Sequence, residues 1–320
     1  MKITLTKSLL IGIIISLILQ RCSGKKAEKN DASESTVSSV HAVTANSDIS
    51  QHISSVMIPP VVTFAGETVP IEQTDVKEAL EAELMINTFR HSRTLAIIKN
   101  FRRWKEFVTG ILKEQRIPED FLYVAVVESE FDNNALSPSG AVGMWQLLED
   151  TAKEYGLLIN DDADMRRDPK LSTEAAARFF RKAQGQLNNW TLVAASYNVG
   201  IQGMKNRLKD QKVNSFYDLH LNPETARYVY RILAFKLILE NPEIYGYFVE
   251  ENEKYAPYQF TTVKINNDID NLVDFAKKNK TTYKQLRLLN PWFNNTEQFR
   301  LKVRKKQEFE VRIPVLKSAD

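Results

Sequence analysis

The chain has 320 residues and only 11 glycines and 11 prolines, below the average usage of about 7% and 5%, which excludes collagen-like, linker-dominated and turn-dense all-β organisation. Its 43 basic and 40 acidic side chains leave a formal charge of +3, so no bulk basic field marks a nucleic-acid partner. One cysteine and four histidines exclude a disulfide framework and leave too little for a His-based zinc site or a Ser-His-Asp triad. Carboxylates must carry any acid/base chemistry, and neither metal nor cofactor is expected.

Lys2 and Lys7 precede an apolar run from Leu9 to Leu19, which ends in Gln20-Arg21-Cys22-Ser23-Gly24. That is the order of an export signal over residues 1–22, and the run is shorter than the about 20 apolar residues of a membrane span. From Ser23 to about Pro60 the chain is rich in Ser, Thr, Lys, Glu and Asn, with no Phe, Trp or Tyr. Such a stretch buries too little apolar surface to offset its ordering entropy, and a flexible tether is expected over residues 23–70. Apolar residues then recur at three- to six-residue spacing from Val76 through Leu80, Leu84, Phe89, Leu95, Ile98, Phe101, Trp104, Phe107 and Ile111, the pattern of amphipathic helices. Ile117-Pro118-Glu119-Asp120 opens a helix with an early proline and two acids in its first turn. That helix runs through Phe121-Leu122-Tyr123-Val124-Ala125-Val126-Val127 to Glu128. Further helices are predicted at about 149–156, 173–187 (capped by Ser172 or Thr173), 190–197 and 223–240. The result is a mainly α architecture, with one helical domain over residues 71–250. Beyond Asn241-Pro242 the pattern changes to strand, helix, helix, strand. Tyr258–Val263 and Phe309–Pro314 alternate as strands, and Ile269–Lys280 and Thr282–Leu289 read as helices, predicting a small βααβ module over residues 256–316.

Glu128 ends an otherwise apolar helix, where partial loss of water raises a carboxyl pKa and readies it to donate a proton at neutral pH. Glu130 and Asp132 are carboxylates in the same segment, and spacing alone leaves the choice among the three open. The turn Ser137–Gly143 lacks the lysine chemistry of a phosphate loop and instead lets backbone approach a ligand. Met144-Trp145-Gln146 offers an apolar and aromatic wall with one amide, and Tyr197-Asn198 a second aromatic and amide pair. Rings and amides together suit a sugar. The acidic stretch Asp161-Asp162-Ala163-Asp164 lacks the glycine and twelfth-position glutamate of a calcium loop.

In order, the chain carries Glu128-Ser129, then Ser137-Pro138-Ser139-Gly140-Ala141-Val142-Gly143-Met144-Trp145-Gln146, then Asp168-Pro169, Ala195-Ser196-Tyr197-Asn198-Val199-Gly200, and Glu224-Thr225-Ala226-Arg227-Tyr228-Val229. This series resembles the soluble-type lytic transglycosylase domain. The resemblance implies a lysozyme-like helical catalytic domain in which Glu128 is the sole acid and then base. Ser137, Gln146 and Asn198 would line the glycan site, and Tyr197 and Tyr228 would complete it. The partner it implies is the peptidoglycan glycan strand, cleaved between N-acetylmuramic acid and N-acetylglucosamine without water to leave 1,6-anhydro ends. A hydrolytic lysozyme and a non-catalytic glycan-binding scaffold are the rival readings. The C-terminal module resembles LysM. Asn290-Pro291 and Ile313-Pro314 fit, while Asn266-Asn267-Asp268-Ile269-Asp270 replaces the usual Gly-Asp-Thr/Ser-Leu. Cys22, with Leu19 three residues before it, resembles a bacterial lipidation site, although Arg21 departs from the small residue usual there. It implies a lipid anchor to the outer membrane and a periplasmic place in the cell envelope. All catalytic candidates precede Tyr245, so a cutting domain and a separate holding module are expected.

Overall fold

The computed structural model describes residues 54–294, 297–304 and 307–315. Cys22, the export signal and most of the expected tether lie outside them. The described chain opens on a hairpin of β1 (Thr63–Phe64) and β2 (Glu67–Thr68). Its turn is Ala65-Gly66, both at positive φ. Val62, Phe64 and Val69 are buried in the core, and the Glu67 carboxylate accepts the backbone N–H groups of Trp190 and Thr191 at 2.6 and 2.9 Å. Within the stretch expected as a tether over 23–70, residues 62–69 therefore belong to the fold instead. Three apolar side chains on a short hairpin are anchored without any helical period.

The long apolar period resolves into α1 (Thr74–Thr88) and α2 (His91–Glu114). The break at Phe89-Arg90 is built from polar capping. The Thr94 and Tyr247 hydroxyls donate to the carbonyls of Asn87 and Thr88, satisfying groups that a helix end leaves orphaned. Phe89 and Leu95, counted in the period, are exposed there. A 3-10 turn over Glu119–Phe121 leads into α3 (Leu122–Ser129). Leu122 to Val126 are all buried, as a segment apolar on every side requires.

The α4 (Glu149–Glu154), α5 (Pro169–Leu187), α6 (Trp190–Val199), α7 (Ile201–Gln211) and α8 (Pro223–Glu240) helices follow. The α8 helix packs against α1, α3 and α6, and α5 packs against α2 and α6, so α3 is held in the centre. The α5 cap differs from expectation. Asp168 takes it, accepting from the N–H groups of Lys170 and Leu171 at 2.9 Å with Pro169 as the first helical residue. Ser172 and Thr173 lie inside the helix and turn their hydroxyls back to the carbonyls of Asp168 and Pro169.

The C-terminal module is β3 (Phe260–Ile265), α9 (Leu272–Lys278), α10 (Tyr283–Leu289) and β4 (Phe309–Pro314). Its strands pair antiparallel, from Phe260 opposite Pro314 to Ile265 opposite Phe309. The described residues belong to one compact unit, and the module is docked on the helical part, not loosely tethered. Arg312 on β4 forms a two-pronged ion pair with Asp168 at 2.6 and 3.1 Å, with both side chains buried. The Asp164 N–H donates to Trp292 O and the Asn294 N–H to Asp162 O, each at 2.9 Å. Trp292 and Phe293 are fully buried. Removing one partner of a buried pair leaves an uncompensated charge, so Arg312→Ala should lower the unfolding free energy by about 3–5 kcal/mol. In urea denaturation, adding Asp168→Asn to Arg312→Met should recover much of the loss, because asparagine still caps α5.

Candidate functional site

Glu128 sits in the last turn of α3, where the helix emerges from the core. Burial, the largest influence, pushes its carboxyl from the usual 4.5 up to about 7. Two influences oppose this: a hydrogen bond from Tyr228, which favours the charged form, and the nearby Arg231 cation. The negative charge of Glu224 adds to the rise. The Tyr228 hydroxyl donates to Glu128 Oε1 at 2.5 Å. Arg231 lies 3.6 Å from the buried Glu83 carboxylate, which Arg227 also approaches. Glu83 thus offers these cations a partner other than Glu128. Burial, and then the charge of Glu128, pushes the Tyr228 and Tyr197 phenols well above their usual range. Both remain protonated donors.

Glu128 opens onto a cleft of about 600 Å³. The floor comes from α2 through Arg93, Ala96, Ile97 and Asn100, and Leu136 and Gln146 bring in the loop beyond α3. That loop is fixed from behind. The Ser129 hydroxyl donates to Met144 O at 2.7 Å, Trp145 Nε1 donates to Thr173 Oγ1 at 2.9 Å, and the Tyr197 hydroxyl donates to Trp145 O at 2.7 Å. Gly143 has φ +82°, and a Cβ there would lie 2.0 Å from the Arg166 carbonyl oxygen, so only glycine fits. The Arg166 guanidinium then donates to Gly140 O at 3.1 Å and Leu147 O at 3.3 Å while paired with Asp164.

The three candidate carboxylates separate on their surroundings. Glu130 follows the helix at φ +56° and is ion-paired with Arg93. Asp132 is exposed and accepts the Asn134 N–H at 2.8 Å. Of the three, only Glu128 has its carboxyl shifted upward by loss of water, and among the described residues it makes no ion pair with a cation.

The other expected site residues divide. Gln146 lines the cleft, with its amide nitrogen donating to Gly143 O at 2.9 Å. Tyr228 lies behind Glu128. Tyr197 supports the loop through Trp145. Ser137 spends its hydroxyl on its own turn, accepting the Ala141 N–H at 2.9 Å, beside the Ala135 and Leu136 that reach the cleft. Asn198 binds Glu224 at 3.1 Å and Thr225 at 2.8 Å, which ties the end of α6 to the start of α8. Met144 was expected to form part of the wall, but its side chain is fully buried. It is apolar and is drawn under the loop into the core, so only its carbonyl serves the site.

Sequence reasoning missed Arg93 and Asn100. Their spacing with Ala96 and Ile97 is i, i+3, i+4, i+7, one helical face, and that signal was hidden because the face is not apolar throughout. Ser129 was passed over as part of the Glu128-Ser129 pair. Among the described residues no group of three or more His, Cys, Asp or Glu is gathered to hold a metal ion.

Residues 109–219 match the Transglycosylase SLT domain family. The chain carries a transglycosylase SLT domain. Residues 261–317 match the soluble lytic transglycosylase C-terminal LysM-like domain. The SLT match contains Glu128, Ser137, Met144, Gln146, Tyr197 and Asn198, and Tyr228 on α8 lies beyond it. Among curated relatives, the chain is 31% identical over 180 residues to membrane-bound lytic murein transglycosylase D of Escherichia coli K12, covering 55% of this chain and 39% of that protein. A putative tributyltin chloride resistance protein of Alteromonas is 27% identical over 95 residues, covering 29% of this chain and 46% of that one. The chain thus spans less than half the length of either relative. Among solved structures, an inactive mutant of lytic transglycosylase Slt from Pseudomonas aeruginosa has 19% identity and a TM-score of 0.38, over 56% of this chain and 33% of that one. The 70 kDa soluble lytic transglycosylase of Escherichia coli has 19% identity and a TM-score of 0.35, over 47% of this chain and 26% of that one.

The raised carboxyl ties stability to pH with a definite sign. Folded Glu128 keeps its proton to about pH 7 and the unfolded chain loses it near 4.5. The folded state therefore binds the extra proton between those values, and this residue's contribution falls as pH rises through that window. Glu128→Gln should gain stability relative to the parent chain from pH 4.5 to 7 and hold the gain above it, measured by urea unfolding at a series of pH values.

Proposed function

We propose that the chain is a peptidoglycan lytic transglycosylase in which Glu128 acts first as acid and then as base. The observation that carries this reading is one carboxyl, raised to about 7 by loss of water, at the wall of an open cleft in the stretch that matches the SLT domain. Protonated Glu128 gives its proton to the glycosidic oxygen joining N-acetylmuramic acid C1 to the next N-acetylglucosamine. As the C1–O bond breaks, the 6-hydroxyl oxygen of the same muramic acid bonds to C1 and passes its proton to the Glu128 carboxylate. The acid is restored, one bond to C1 replaces another, and no water is consumed. The Tyr228 hydroxyl stabilises the carboxylate midway, and this keeps one group able to serve both steps.

Retaining and inverting glycosidases use two carboxylates. Here Glu130 is held by Arg93 and Asp132 by its own turn, which favours the one-carboxyl route over hydrolysis. The cleft and the primed acid favour an enzyme over a scaffold, since holding a glycan needs no desolvated acid.

Glu128→Gln keeps the shape and removes the transferable proton. Cleavage of purified sacculi should fall by at least about 10²-fold, while the parent chain releases fragments with 1,6-anhydro ends by mass spectrometry. Reducing ends would make the enzyme a hydrolase, and no release at all would favour the scaffold. On the same reading the chain works in the cell envelope, held at the membrane by lipid on Cys22. Cys22→Ala should move it from the membrane to the soluble fraction, because the apolar run before it is too short to span.

A further inference from the structure

Among the described residues lining the Glu128 cleft, Tyr255 supplies the one aromatic ring. It belongs to neither matched domain, lying between residues 219 and 261. The segment that carries it leaves the helical part at a fixed place. The Tyr255 N–H donates to Lys99 O at 3.0 Å, and Arg103 Nε donates to Ala256 O at 3.1 Å. The Arg103 guanidinium lies 5.0 Å from the centre of the Tyr255 ring and 4.4 Å from that of Tyr258, and Trp104 meets Tyr258 edge-on at 6.0 Å. The ring is thus held before any ligand arrives and still exposes 44% of its surface.

An exposed aromatic residue by itself is ordinary. Here position and support give it meaning. The residue is bonded to α2 at Lys99 and lines the cleft together with Asn100, whose amide donates to Glu130 O at 3.0 Å. A pyranose presents C–H groups on one face and hydroxyls at its edge. A tyrosine ring takes the first through its negative π face, and neighbouring amides and charges take the second. Because Lys99 holds the Tyr255 backbone and Arg103 lies against the ring, little ordering entropy remains to be lost on binding.

We infer that Tyr255 is a sugar-stacking residue of the Glu128 cleft, holding a pyranose ring of the glycan strand on the Glu130 side, at a subsite removed from the bond that is cut. The inference rests on the proposed glycan substrate but not on the fate of the bond. The connecting segment thereby completes the cleft, and the boundary between the cutting and holding parts of the chain runs after Tyr255.

The test uses the full chain with peptide-free strands of alternating N-acetylglucosamine and N-acetylmuramic acid, from tetrasaccharide to octasaccharide. Tyr255→Ala should raise KM about tenfold on strands long enough to reach the subsite, with kcat kept and the shortest cleaved strand within about twofold of the parent. Tyr255→Phe and Tyr255→Trp, which keep a ring, should restore KM. Should the alanine variant prove unfolded, Tyr255→Leu removes the ring and retains apolar bulk. In a Glu128→Gln background, calorimetric titration with the octasaccharide should show the same tenfold weakening, so binding is read without cleavage. Loss of that difference while the parent chain still cleaves would overturn the subsite and leave the proposed activity standing. A parent chain that binds through Tyr255 without cutting would overturn the activity alone. Equal losses at every strand length, or a phenylalanine variant as weak as alanine, would also overturn the subsite.

Discussion

Burial of the Glu128 carboxyl at the end of α3 is the constraint on which the rest of the site depends. A helix apolar from Leu122 to Val126 has one stable position, inside the bundle, and there it is enclosed by α2 and α8. Its last turn then carries a carboxyl that water cannot fully solvate. A full salt bridge would restore the charge and end its use as an acid. Instead Tyr228 contributes a neutral donor at 2.5 Å, and Glu83 pairs with Arg227 and Arg231. The carboxyl is left near 7, where losing and regaining a proton are about equally easy at neutral pH. Burial of this kind opposes folding, as functional groups held against their preferred state commonly do.

The loop facing Glu128 is as constrained as the acid. Met144 O, Trp145 Nε1 and Trp145 O all bond to the helices behind them, and Gly143 presses on the Arg166 backbone. Arg166 is paired with Asp164, whose N–H reaches Trp292 O in the C-terminal module. Two positions on, Asp168 both caps α5 and pairs with Arg312. A short stretch, 164–168, thus supports the active loop on one side and the module on the other. This continuity of hydrogen bonds gives the module a structural part in the helical domain, whatever its own affinity for glycan.

How much of this was legible in the sequence depends on whether a feature is local. The α3 helix and its terminal glutamate could be read, because an all-apolar run closed by a carboxylate has few other readings. So could the βααβ order, from alternation at Phe309–Pro314 and the stop at Asn290-Pro291. The β1–β2 hairpin could not, since two-residue strands have no period to detect. The α7 helix was missed because Met204 is its one buried residue, too few for a stripe. Met144 was misplaced because an apolar residue beside a glycine turn fits a wall and a core equally well. Arg312 and Asp168 are 144 residues apart, and each alone looks like a surface charge. Such pairings are set by topology.

The central claim is that one desolvated carboxyl, Glu128, carries the proton at working pH. Its most direct test is the titration of that carboxyl by isotope-edited infrared spectroscopy, taken as the difference between the parent chain and Glu128→Gln. A midpoint of about 7 is predicted. A midpoint near the ordinary 4.5 would mean that the group is already ionised at neutral pH, and would contradict its proposed role as the acid.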